Sequence, residues 1–172
     1  MKLNWMFLTV GYSGLSPKAP GTVGTLVSLP IGMAILLFLG PQTLFLATIL
    51  ITLIAVKTID AHEQAGNPHD DQRIVIDELA GMWLALAIAP GMMIAPEALT
   101  QWENGFLVQS LLGFAFFRLY DIKKPSMIGR IDREAKGGIG VMGDDLLAGV
   151  LAGISAALVW QVILKATAAF AA

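Results

Sequence analysis

Asp77-Glu78 and Asp144-Asp145 are acidic pairs that each open a long uncharged stretch, and Arg118 and Asp121 close a third. Adjacent carboxylates repel one another unless a cation or strong hydrogen-bond donors compensate. Acidic groups are expensive to keep beside lipid-length apolar segments, so the chemistry expected of them is to hold a metal ion through oxygen ligands at a membrane surface. Simpler uses compete. An acid near a helix N-terminus gains roughly 0.3–1 kcal/mol from the helix dipole, although one Asp would suffice where Asp144 and Asp145 both stand. Arg118 and Asp121, three residues apart, share a helical face and can form an ordinary intrahelical ion pair.

A second candidate is the run Gly11 to Thr25, which holds four glycines and two prolines. It predicts a defined loop leading into a helix, with Thr22 or Thr25 as N-cap. Free backbone N–H groups beside a helix N-terminus suit a phosphate, but a rigid connector would use the same residues, and residue types favour neither reading. The Gly-x4-Gly-Lys-Ser/Thr spacing of a P-loop is missing.

The elements that position these residues are legible from composition. The 172-residue chain is 56% hydrophobic and 14% charged, against roughly 45–50% and about 25% in soluble proteins. No Lys, Arg, Asp or Glu occurs over 24–56, 79–96, 104–117 or 146–164. A spanning helix needs about 20 residues. The first run is too long for one helix and carries Gly40-Pro41, a pair that ends one helix and starts the next, so it reads as a hairpin of two short spans. The expectation is an all-α, polytopic membrane bundle forming one domain over residues 1–172, with about five spans starting near Leu26, Thr43, Leu79, Phe106 and Leu146. A soluble bundle with helices apolar all round is the alternative.

Charge placement favours the membrane. Five spans put the N-terminal segment, Lys57–Glu78 and Arg118–Asp145 on one side, which then holds ten of the eleven Lys and Arg and eleven of the thirteen acidic residues. The positive-inside rule makes that side cytoplasmic. Trp5 and Phe7 suit an N-terminal interfacial helix at headgroup level, and no signal-peptide cleavage pattern follows it. A Gly-rich turn is expected at Gly137–Gly143, and Asp60–Asp71 reads mostly as a solvated loop in which Gly66 and Pro68 separate His62 from His69. The absence of cysteine excludes thiolate nucleophiles and disulfides. A net charge of −2 gives no sign of nucleic-acid binding, and oligomeric state is not encoded in any recognisable pattern.

Taken together, these segments resemble the phosphatidylglycerophosphatase A family of bacteria. The matching stretches are Gly14-Leu15-Ser16-Pro17 with Ala19-Pro20-Gly21-Thr22, Ile74-Val75-Ile76-Asp77-Glu78 with Gly81, Phe117-Arg118 with Asp121 and Lys124-Pro125, and Gly137-Gly138 through Asp144-Asp145 with Ala148-Gly149. They stand in family order over about Gly11–Gly149. The resemblance implies a Mg²⁺-dependent phosphomonoesterase of phospholipid synthesis that takes the terminal phosphate from phosphatidylglycerophosphate at the inner face of the bacterial cytoplasmic membrane, giving phosphatidylglycerol. Asp77, Glu78, Asp121, Asp144 and Asp145 are then the catalytic and Mg²⁺-binding candidates, at least one acting as general base or orienting water. Arg118 and Lys124 are the candidate phosphate clamps, with Pro20, Gly21 and Thr22 as the backbone cradle. His62 and His69 inherit no role from it.

Two other classes compete with this reading. A phosphatidyl-group transferase also gathers aspartates at helix ends, but its Asp-Gly-x2-Ala-Arg signature is absent. A small transporter predicts charge near mid-span, whereas here it lies at span ends.

Overall fold

The computed structural model describes residues 2–69, 71–99, 104–125, 128–129 and 136–171. Asp70, part of the expected solvated loop, and the charged stretch 130–135 lie outside them. Among the described residues there are five α-helices, two short 3-10 turns and no strand. The helices are α1 (Lys2–Leu8), α2 (Pro20–Gln64), α3 (Ile76–Ile88), α4 (Phe106–Lys123) and α5 (Gly137–Ala171). The all-α expectation holds.

Helix α2 is broken where Gly40-Pro41 predicts. Gly40 sits at φ 84° and ψ 169°, an extended conformation on the positive-φ side that glycine alone adopts without cost. Neighbouring residues show how the two arms run. A Cβ on Gly24 would touch Val75, and one on Gly32 would touch Trp83 and Leu86, so the first arm runs parallel to α3. The second arm runs the other way, with Pro41 and Gln42 beside Gly91 and Met92, and Val56 and Asp60 beside the start of α5. Helix α5 is parallel to α3, since Gly149 meets Gly81 and Gly153 meets Ile88. Helix α4 is antiparallel to both, with Gly105 against Trp160 and Lys124 against Asp144. Three helix starts and two helix ends therefore meet at one end of the bundle.

Helix α3 forms the centre. Leu79, Ala80, Met82, Ala85 and Leu86 are buried on several sides of it, and Trp83 Nε1 donates to the Ser28 carbonyl at 3.0 Å. It stops at Ile88, short of the full uncharged run, because Ala89 precedes Pro90 and turns extended. At 13 residues it is about 20 Å long by helical rise, less than the roughly 30 Å of a bilayer core.

Two local expectations are corrected. Helix α2 begins at Pro20 with Ala19 as N-cap, so Thr22 and Thr25 are not caps; Thr25 Oγ1 instead donates to the Gly21 carbonyl at 2.8 Å. The glycines of Gly137–Gly143 belong to α5 and make no turn beyond Gly137, which caps the start at φ 65°. Gly138 is there because a side chain would strike the Val56 carbonyl. Asp144 and Asp145 thus lie two turns inside α5, out of reach of a capping role. Separately, Trp5 and Phe7 of α1 are partly buried and pack against the protein core.

Helix α2 and residues Gly137–Phe170 of α5 are long and apolar enough to cross a membrane, yet in their most apolar stretches only 28% and 33% of residues are buried. Phe38, Leu46, Leu53, Leu158 and Val162 are each more than half exposed. The core helix of a soluble protein would be mostly covered.

The α3–α5 crossing has no room for side chains. A Cβ on Gly149 would strike the Gly81 carbonyl, and one on Gly81 would lie 2.5 Å from the Phe117 ring. Gly81→Ala and Gly149→Ala are each expected to destabilise by about 1–3 kcal/mol through overpacking. Gly113→Ala, whose Cβ meets nothing nearer than 3.9 Å, should be neutral or stabilising by up to about 1 kcal/mol. Thermal unfolding in detergent micelles checks this, and equal losses at all three positions would refute it.

Candidate active site

The gathered helix ends enclose a cavity of about 400 Å³. Four parts of the chain build it: the start of α2, the segment before α3 with the first turn of α3, the last turns of α4, and the second and third turns of α5.

Asp77 and Glu78 reach the cavity from the first turn of α3. Asp145 reaches it from α5 and is almost wholly buried. One oxygen from each of these three carboxylates can be chosen so that all lie within 4.8 Å of one another. Opposite ligands of an octahedral Mg²⁺ stand about 4.2 Å apart at 2.0–2.1 Å bond lengths, so the three oxygens need only draw in slightly to hold one small hard cation. Glu78 Oε2 is buried without a hydrogen-bond partner. An orphaned carboxylate oxygen is costly when desolvated, and with an all-oxygen donor set it fits a divalent ion.

The other two acids are drawn to cations. Asp121 pairs with Arg118 one turn earlier on α4, as their spacing predicts. Arg118 Nη2 also donates to Thr22 Oγ1 at 3.2 Å and Nη1 to Thr25 Oγ1 at 3.4 Å, while its Nε is buried without a partner. Lys124 Nζ donates to Asp144 Oδ2 at 2.9 Å. Lys124 adopts a left-handed conformation at φ 41° as the residue closing α4, before Pro125. Five carboxylates and two permanent cations thus face one space.

Pro20 and Gly21 line the cavity from the first turn of α2. A Cβ on Gly21 would overlap Glu78 Oε1 and come within 3.5 Å of Arg118 Nη1, so only glycine lets this helix start approach the acidic cluster. Val23 is the first residue whose N–H bonds back along the chain, to the Ala19 carbonyl; Gly21 and Thr22 N–H groups have no acceptor among the described residues. Thr22 does not line the cavity but holds the Arg118 guanidinium. The ten residues singled out from the sequence therefore converge on one place.

Residues that sequence reasoning missed also contribute. His69 and Gln72 line the cavity. Asp60 Oδ1 accepts the Gly138 N–H at 2.7 Å, tying the end of α2 to the start of α5. Asp71, expected to be solvated, is buried and accepts two hydrogen bonds from the Arg73 guanidinium at 2.9 and 2.6 Å. That pairing holds the Asp71 carboxyl below the usual carboxylate range. No sequence signal separates such acids from solvated ones, because burial depends on the helix packed over them.

Comparison with known proteins agrees with the resemblance. The family model of phosphatidylglycerophosphatase A matches residues 6–160. A phosphatidylglycerophosphatase A of Escherichia coli (strain K12) is 38% identical over 148 residues, covering 86% of this chain and 78% of the relative. One of Haemophilus influenzae is 34% identical over 146 residues, covering 84% and 82%. A putative phosphatidylinositol-3-phosphatase of Bacteroides thetaiotaomicron is 35% identical over 156 residues, covering 88% and 89%. No solved structure matches the chain. With a match that takes in the start of α2, both acidic pairs and the Arg118–Lys124 turn, the chain belongs to the phosphatidylglycerophosphatase A family.

Proposed function

We propose that the chain is a Mg²⁺-dependent lipid phosphatase that hydrolyses the terminal phosphate of phosphatidylglycerophosphate to give phosphatidylglycerol. The observation that carries this reading is the pairing, in one cavity, of a three-carboxylate cluster with the Arg118 and Lys124 cations at the end of an apolar bundle. The named phosphatidylglycerophosphatase relatives support the substrate.

Asp77, Glu78 and Asp145 would hold the cation, which when bound supplies positive charge to the phosphoryl oxygens. The rest follows from the chain's own side chains. Phosphoryl transfer asks mainly for positioning and for charge around the equatorial oxygens. An entering phosphate competes with Asp121 for the Arg118 fork and with Asp144 for the Lys124 ammonium, two contacts already formed at the cavity wall. Asp121 or Asp144, released from its cation, accepts a proton from the attacking water. As the water oxygen bonds to phosphorus, the ester bond breaks and the leaving glycerol oxygen takes up the proton that the carboxylate accepted from the water. The Gly21 N–H adds a donor for the anion, and Thr22 holds the Arg118 fork beside it.

The bundle suits a lipid substrate. With the second arm of α2 antiparallel to the first, the apolar faces of both arms, α4 and α5 lie in the bilayer while α3 is enclosed by them, and all site residues reach one membrane face. The Lys and Arg residues at that end support a cytoplasmic face by the positive-inside rule, with the acyl chains staying in lipid while the phosphate enters the cavity.

Three outcomes are expected. Purified protein releases phosphate from phosphatidylglycerophosphate with Mg²⁺ and stops when EDTA is added, activity returning with excess Mg²⁺; turnover indifferent to chelation would remove the metal from the mechanism. Asp77→Asn and Asp145→Asn each lower kcat/KM by roughly a hundredfold or more, the scale of losing one preorganised electrostatic group, with the thermal unfolding midpoint retained; near-wild-type rates in both would refute the shared site. Because the chain lacks cysteine, single cysteines report topology cleanly. Ala65→Cys should react with a membrane-impermeant maleimide only from the cytoplasmic side and Gln42→Cys only from the opposite side, whereas labelling of both from one side would exclude the proposed insertion.

A further inference from the structure

One wall of the cavity belongs to neither the carboxylate cluster nor the two cations. His69 and Gln72 form it. Among the described residues they are the only polar lining side chains outside the charged set.

Both are held from behind. His69 Nδ1 lies 2.7 Å from Glu63 Oε1 on the last turn of α2. A carboxylate only accepts, so Nδ1 carries the proton in this contact and Nε2 is left for a further partner. Gln72 sits between two residues tied elsewhere. Asp71 and Arg73 pair with each other, Arg73 lies over the Trp5 ring at 4.9 Å, and Trp5 stacks on His62 at 5.4 Å. The backbone is pinned as well, with Ile74 N–H on the Asp71 carbonyl at 2.8 Å and Val75 N–H on the Leu8 carbonyl at 2.9 Å. Gln72 itself is exposed and makes no hydrogen bond to the described residues. Its amide is thus presented to the cavity from a segment fixed by α1 and α2.

The cavity is larger than its charged half needs. About 400 Å³ falls in the range of about 300–1,000 Å³ typical of small-molecule sites, room for a polar headgroup in addition to one phosphate. If the charged half takes the terminal phosphate, a second phosphate linked through glycerol must sit away from five carboxylates that repel it. It needs a donor that carries no negative charge, which the Gln72 amide N–H groups supply, while His69 Nε2 is placed to accept from a neighbouring hydroxyl.

We propose that His69 and Gln72 form a headgroup subsite that takes the polar part of the substrate between the terminal phosphate and the lipid, namely its bridging phosphodiester and the neighbouring hydroxyl. This rests on the phosphatase reading above and makes the wall a determinant of which phosphorylated lipid is accepted.

The test measures KM and kcat for phosphatidylglycerophosphate in mixed micelles, together with the inhibition constant of inorganic phosphate, which reports the charged half alone. Wild type is compared with His69→Ala, Gln72→Ala and Gln72→Glu. Each substitution should raise KM about tenfold, the scale of one hydrogen bond to a charged group, Gln72→Glu the most, with the phosphate inhibition constant changing by less than about twofold. Unchanged KM in all three variants, or KM and the phosphate constant rising in parallel, would overturn the subsite. If wild type releases no phosphate from phosphatidylglycerophosphate but does from phosphatidylinositol 3-phosphate, the substrate reading fails, and the same comparison on that lipid still decides the subsite. Inactivity on both lipids sinks both.

Discussion

Mutual repulsion among five carboxylates around one small cavity is the constraint on which the rest of this structure depends. Asp77, Glu78 and Asp145 bring oxygens within 4.8 Å of one another in a cavity at one end of an apolar bundle, where water screens charge less than in bulk. Three separate helices would move apart to relieve it. What holds them is packing: Gly149 on Gly81, Gly153 on Ile88, and Phe117 wholly buried against Gly81. Interhelical contacts made by small residues need no hydrophobic driving force, which is the condition inside a bilayer. The acidic cluster therefore stores a demand for positive charge that Arg118 and Lys124, already paired with Asp121 and Asp144, meet only in part.

The same logic explains the glycines. Gly21, Gly138 and Gly149 sit in helices, where glycine costs roughly 0.5–1 kcal/mol relative to alanine. Each stands where another residue's oxygen occupies the space of a Cβ. At Gly21 that oxygen belongs to Glu78, so the approach of the α2 start to the acidic cluster is written into the chain by the absence of a side chain. Asp60 complements this by accepting the Gly138 N–H, which fixes the rotation of α5 and with it the direction in which Asp144 and Asp145 face.

Much of this was legible in the residues. The uncharged runs located the apolar helices, Gly40-Pro41 located the break, and the i, i+3 spacing of Arg118 and Asp121 anticipated their pair. What sequence alone did not separate was the five carboxylates into a cluster of three and two cation-bound partners, because that depends on helix rotation and on which residue's oxygen fills which gap. The glycines of Gly137–Gly143 read as a turn since glycine serves both turns and close helix contacts, and only the neighbouring α2 backbone decides between them. Asp60, Asp71, His69 and Gln72 looked like any polar loop. Their roles come from α1 and α5 folding over them, a long-range fact with no local signature.

Phe117 carries one more consequence. Its ring is wholly buried against Gly81 and it immediately precedes Arg118, so packing resists rotation or sliding of α4 at the point where the guanidinium emerges. Any switch of Arg118 from Asp121 to an incoming anion is then confined to torsions of its own flexible stem. Such a rearrangement breaks the contacts to Asp121 and the two threonines but asks for no rigid-body motion of a helix. The exchange is thereby reduced to the movement of one side chain over helices whose close packing is already set.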